Sequence, residues 1–185
     1  MIYLDNAATT AMDPEVIDEL QFYMRDQFAN SGAVYGLGLD AKNKIEEAIE
    51  SISAALKIPS SHNLIFTSGG TESNNLFIKG LCSSDKKTAY SGLEHPSIVE
   101  TLQSFKEFGN EPLSLLEFSK KGNLDLSCLP LLKEKRIRLL CLSHVNNELG
   151  TINESSLLLS RLKSDAPQTR LFLDGVQAVG KIKIN

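Results

Sequence analysis

The chain has 185 residues, enough to bury a sizeable core in one large domain or one and a half small ones, and its 19 basic against 23 acidic side chains leave a net charge of −4. That balance gives no electrostatic case for nucleic acid or a membrane surface. Three cysteines without metal or disulfide spacing, and no apolar run near 18 residues, predict a reducing, cytoplasmic setting and no membrane span.

Tyr3 to Asn6 reads as a short extended segment. Asp13-Pro14 then supplies an N-cap and a first-turn proline for a helix with Val16, Ile17, Leu20 and Met24 on one apolar face. Residues 29–38, ANSGAVYGLG, read as a glycine-rich loop before a helix over about Asp40 to Leu56, with a stripe of Ile45, Ala48, Ile49, Ile52 and Leu56. GLGLDA at 36–41 has the spacing of a dinucleotide-binding turn, but no strand precedes it as that fingerprint requires.

The apolar run Leu64 to Phe66 reads as a strand, followed by the glycine turn TSGGTESNN at 67–75 and a helix over about 72–82. Strands at 87–91, 112–117, 137–143 and 169–174 then alternate with helices at 96–108, 126–135 and 154–164. Such alternation predicts right-handed crossovers and a mainly parallel α/β sheet. Ser83 to Lys87 and Ser119 to Asn123 read as polar turns. The basic cluster Lys133, Lys135, Arg136 and Arg138 reads as a solvated helix end, and Cys82, Cys128 and Cys141, set among apolar neighbours, as core residues.

Two stretches suggest chemistry. Gly69 and Gly70 let the backbone approach a ligand, Thr71 and Ser73 offer caps or hydroxyls, and a helix N-terminus favours a phosphate. No Gly-Lys-Ser/Thr follows, so this is not a Walker loop. Asp174 ends a predicted strand, where ligands of open α/β sheets bind. A phosphate site beside a carboxylate suits pyridoxal phosphate, which carries a phosphate and a basic ring nitrogen. His95 lies at another strand's end, before Pro96. His144 and Glu148, four apart, lack a third candidate ligand for a metal, and His62 sits in a polar loop.

YLDNAATT at 3–10, TSGGTESNN at 67–75, EHPS at 94–97, HVNNELGTI at 144–152 and LDGVQAVGK at 173–181 together resemble the cysteine desulfurases of the class-V aminotransferase family, in its iron-sulfur-cluster branch. The resemblance implies the three-layer, mainly parallel large-domain sheet of fold type I pyridoxal-phosphate enzymes, present here incomplete. It implies that Gly70, Thr71 and Glu72 form the phosphate turn, that His95 stacks on the cofactor ring and moves protons, and that Asp174 pairs with the ring nitrogen. By the same resemblance Gln177 and Asn147 meet the ring's phenolic oxygen, with Asn147 also near substrate, and Asn6, Ala7 and Thr9 belong to an arm reaching toward the site. At 29–38 the chain departs from the family pattern, with Tyr35 where a histidine is expected.

The family's cofactor-holding lysine, persulfide-forming cysteine, substrate arginine and small domain have no counterpart in the chain; Lys181 and Lys183 follow Asp174 too closely, and none of the three cysteines matches. Residues 1–185 are therefore expected to be an N-terminal arm plus the first part of the large cofactor-binding domain, inactive alone. The parent activity implied is conversion of L-cysteine to L-alanine with sulfur passed as a persulfide toward iron-sulfur or thio-cofactor assembly, in a homodimer serving a sulfur-acceptor or scaffold protein. A truncated product of the full enzyme, a split half completed by another polypeptide, and a noncatalytic interaction module on the same fold all remain open, as does a related lyase or transaminase activity.

Overall fold

The computed structural model describes residues 2–82, 87–115 and 118–183. It falls into two compact units, Met1–Phe66 and Thr67–Asn185.

In the first unit, Asp13 caps helix α1 (Pro14–Asp26) by accepting a hydrogen bond from the Glu15 amide at 2.9 Å, with Pro14 in the first turn as its fixed φ favours. The predicted apolar face does not become core: α1 buries none of its residues, and Val16, Ile17, Leu20 and Met24 all stay exposed. Helix α2 (Gly36–Ala55) starts four residues before the predicted Asp40, so the last three residues of the expected loop are helical. Gly38 makes this start feasible, because a β-carbon there would lie 2.3 Å from the Ala33 carbonyl oxygen.

A second correction falls at Leu64 to Phe66. These residues form no strand, because no ladder partner is present among the described residues; Ile65 and Phe66 are exposed instead.

The second unit opens with α3 (Gly70–Leu81), then β1 (Thr88–Ser91), α4 (Pro96–Gln103), β2 (Leu113–Leu115), α5 (Leu129–Glu134), β3 (Leu139–Ser143), α6 (Ser155–Asp165) and β4 (Arg170–Asp174). A 3₁₀ turn, Ser104–Phe108, ends the predicted 96–108 helix, and another, Leu126–Cys128, starts the predicted 126–135 helix. Residues 83–86 and 116–117, within the predicted turn and strand there, lie outside the described residues.

All strand pairs are parallel, in the order β2-β1-β3-β4, with Tyr90 opposite Cys141 and Ser143 opposite Asp174. Side chains alternate between faces, as strand geometry requires. Tyr90, Leu139 and Cys141 pack with Ile78 of α3 and Ile98 and Leu102 of α4. Ala89, Leu140 and Leu142 pack with Leu129 and Leu132 of α5 and Leu158 and Leu162 of α6. The result is a three-layer α/β fold. Because the chain moves to one side of β1 to form β2 and to the other side to form β3, right-handed crossovers put α4 and α5 on opposite faces. That reversal opens a crevice beyond the carboxyl ends of β1 and β3, where doubly wound folds bind ligands. All three cysteines are buried, as expected, and no helix of the described residues is long and apolar enough to cross a membrane.

Candidate active site

The residues at those carboxyl ends join through a buried polar network. The Asn74 amide on α3 donates one hydrogen to Asp174 Oδ2 and the other to Ser97 Oγ, both at 2.9 Å. Asp174 Oδ1 accepts from the Val176 amide at 2.9 Å, so both carboxylate oxygens are held. His95 is the N-cap of α4: its Nδ1 accepts from the Ser97 amide at 3.1 Å and lies 2.8 Å from Ser97 Oγ. An Nδ1 that accepts a backbone N–H carries its lone pair there, which leaves the neutral ring's proton on Nε2. Asn74, Ser97 and Asp174 are buried, whereas the His95 ring is exposed.

Beside His95, Glu94 ties the two strands at the crevice. Its Oε1 accepts from Ser91 Oγ at the end of β1 and its Oε2 from Ser143 Oγ at the end of β3, each at 2.5 Å. Burial pushes the Glu94 carboxyl above its usual range. The Ser143 and Ser91 hydroxyls partly offset that rise, and the nearby Asp174 charge adds to it.

The glycine turn has a different cap from the one expected. Gly69 is the N-cap of α3, and no side chain caps the helix. Thr71 and Ser73 do not fill that role: Ser73 Oγ pairs with Thr67 Oγ1 at 2.7 Å. Glu72 Oε2 reaches back to the Ser68 amide at 2.6 Å, and hydrogen bonding from Ser68, its side chain first and then its backbone amide, holds the carboxyl below the usual range. Glu72 thus serves the turn, and the first-turn amides of Gly70 and Thr71 remain without a side-chain cap. Gly70 abuts the residues after Asp174, since a β-carbon on it would lie 2.6 Å from Val176 Cγ2.

Gln177 is half-buried in the turn after β4, and Lys181 Nζ donates to its Oε1. Asn147 is half-buried too, but its neighbour Asn146 is the turn-holding amide. Asn146 Nδ2 donates to the Leu93 carbonyl at 2.8 Å, and its Oδ1 accepts from the Glu148 and Leu149 amides at 2.9 and 2.8 Å. His144 is half-buried, Glu148 exposed and His62 exposed.

A carboxylate with both oxygens fixed, a histidine tied to it through one serine and one asparagine, and an uncapped helix start beside a glycine suit a ligand with an N–H at one end and a phosphate at the other. The chain matches the family described as aminotransferase class-V over residues 2–185. It belongs to that family.

The class-V aminotransferases are pyridoxal-phosphate-dependent, and this chain is similar to several named as desulfurases. It is 34% identical to the cysteine desulfurase IscS of Dictyoglomus turgidum over 190 residues, which cover all of this chain and 47% of that relative. Among solved structures, a NifS-like protein superposes with a TM-score of 0.89 at 29% identity, over 98% of this chain and 50% of its own. SspA in complex with cysteine also gives 0.89, at 27% identity over 99% of this chain and 53% of its own. The chain thus spans about half the length of the curated relatives it matches. Its fold is the large-domain fold of these fold type I enzymes, here incomplete.

Asn74, Ser97, Glu94 and Asn146 lie in motifs that the sequence displays, but sequence reasoning assigned none of them a role. One signal was available for Asn74: it falls one turn before Ile78 on the buried face of α3, where an apolar residue is expected.

Proposed function

We propose that this chain supplies the noncovalent half of a pyridoxal-phosphate site in a cysteine desulfurase. The observation that carries the reading is the Asp174–Asn74–Ser97–His95 network at the crevice, on a chain of the class-V family with relatives named as desulfurases. The residues fit the cofactor: Gly70 and Thr71 offer amides to its phosphate, Asp174 offers a fixed carboxylate to the ring N–H, and Gln177 and Asn147 offer side-chain amides to the phenolic oxygen.

When bound, the cofactor supplies an electron sink for a substrate carbanion. The chain's own work is then electrostatic and positional. Asp174 holds a proton on the ring nitrogen by the charge beside it. Neutral His95 carries its hydrogen on Nε2 and so offers a donor there; that nitrogen can take up a proton only after giving its own away. Asn147 also contacts substrate.

The parent reaction is L-cysteine to L-alanine, with sulfur passed as a persulfide to an acceptor or scaffold protein for iron-sulfur or thio-cofactor assembly, in a cytoplasmic homodimer. Lys181 Nζ donates to Gln177, and on the proposed reading the chain binds the cofactor noncovalently. Titration with pyridoxal phosphate, followed by absorbance, tests this: saturable binding that Asp174→Ala weakens supports the reading, and no binding at millimolar cofactor sinks it.

A further inference from the structure

Asn74 presents a puzzle of composition. Asparagine is a poor helix former and a costly residue to bury unless its amide is satisfied, yet it occupies the interior of α3 at 3% exposure. Both of its amide hydrogens are spent on partners remote in sequence, Ser97 and Asp174. An apolar residue would fill the position at less cost to the helix.

We infer that Asn74 is a positioning residue that makes Asp174 and His95 one unit, by giving one amide hydrogen to the Asp174 carboxylate and the other to the Ser97 hydroxyl that bonds His95. On the aspartate side, the Val176 amide fixes Oδ1 and Asn74 fixes Oδ2, so the carboxylate cannot turn about its axis. On the histidine side, a Ser97 oxygen that accepts from Asn74 directs its own hydrogen to Nδ1, which reinforces the Nε2–H form of the ring. Asn74 is not among the residues proposed to hold the cofactor; it acts through Asp174 and His95, which are. The inference rests on the proposed pyridoxal-phosphate reading for its effect on cofactor, but the network itself stands without it.

Two measurements on the purified 185-residue chain test it. Without ligand, Asp174→Asn and Ser97→Ala are combined in a double-mutant cycle read by urea unfolding, with and without Asn74→Ala. The expected result is a coupling of at least about threefold in the unfolding equilibrium constant that vanishes with Asn74→Ala. Additive effects in the presence of Asn74 overturn the inference. Should Asn74→Ala fail to fold, NMR of the Asn74 side-chain amide in the otherwise unmutated chain serves instead. Its two protons should be protected from exchange, one shifting with Asp174→Asn and the other with Ser97→Ala; freely exchanging protons overturn the inference.

The second measurement compares pyridoxal phosphate with its 1-deaza analogue, in which carbon replaces the ring nitrogen. Asn74→Ala should weaken the cofactor about tenfold, as expected for a misplaced charge-assisted hydrogen bond, and the analogue by less than about twofold. Equal loss for both makes Asn74 a packing residue and overturns the positioning role. If the unmutated chain binds neither ligand, the cofactor reading fails and with it the effect of Asn74 on cofactor, while the ligand-free coupling is decided by the first measurement. A failed coupling in the first measurement is a different outcome, which removes the role of Asn74 alone.

Discussion

Gly70 faces Val176 so closely that a β-carbon on Gly70 would stand 2.6 Å from Val176 Cγ2. The contact seats the start of α3 against the turn that follows Asp174. Alanine at position 70 improves helix propensity but must displace a branched side chain, and overpacking of this kind costs about 1–3 kcal/mol, more than the propensity returns. Gly70→Ala is therefore expected to lower stability by about 1 kcal/mol and to weaken cofactor binding. Adding Val176→Ala should restore both. Urea unfolding and cofactor titration read the result, and a Gly70→Ala chain as stable as the unmutated one contradicts it.

Glu94 gives stability a pH dependence whose sign is fixed. Its folded-state carboxyl lies above the ordinary 4.5, chiefly through burial, so the folded chain binds this proton more tightly than the unfolded chain. The contribution is full below the unfolded value and is lost as pH rises through the raised folded value. Glu94→Gln keeps the side chain's shape and its serine neighbours while removing the ionisation. As pH rises above the ordinary 4.5 its unfolding free energy should fall less than that of the unmutated chain. Parallel curves for the two chains would show that Glu94 is not the group responsible.

The asparagine pair at 146 and 147 separates structure from chemistry. Asn146 is buried and makes three hydrogen bonds to backbone, so Asn146→Ala leaves polar groups unsatisfied and should cost about 2 kcal/mol or more. Asn147→Ala should change stability by less than about 0.5 kcal/mol, as at other positions outside such networks. Its effect is expected on ligand binding instead. Denaturation curves for the two variants decide the matter, with equal losses as the contradicting result.

Exposed apolar side chains bear on assembly. Phe77, Leu76, Val176 and Val179 in the second unit are all at least two-fifths exposed, as are Val16, Ile17 and Leu20 on α1. Where such side chains adjoin, as Leu76 and Phe77 do in sequence, apolar surface favours association. The chain is expected to self-associate at micromolar concentration, and a monodisperse monomer in sedimentation velocity would argue against the proposed homodimer.

The sequence made the parallel sheet readable because β3 and β4 are built on short apolar runs and all the strands are separated by helix-length segments, and Asp174 could be placed at a strand end for the same reason. Leu64 to Phe66 misled because an apolar run becomes a strand only where a ladder partner exists, and local pattern carries no information about partners. The α1 face misled similarly: periodicity reports amphipathicity, not what covers it. The Asn74 network was invisible because its bonds to Ser97 and Asp174 span 23 and 100 residues. At 146–147 two identical amides compete for one turn, and only the backbone geometry selects Asn146.

On the proposed reading, residues of this chain hold pyridoxal phosphate without a covalent link. Borohydride reduction of the saturated chain, followed by intact-mass and peptide mass spectrometry, tests it most directly. The account predicts saturable binding with no lysine adduct above the level given by Asp174→Ala. A single stoichiometric adduct, at Lys181 or Lys183 above all, would contradict it and make the chain a candidate for catalysis on its own.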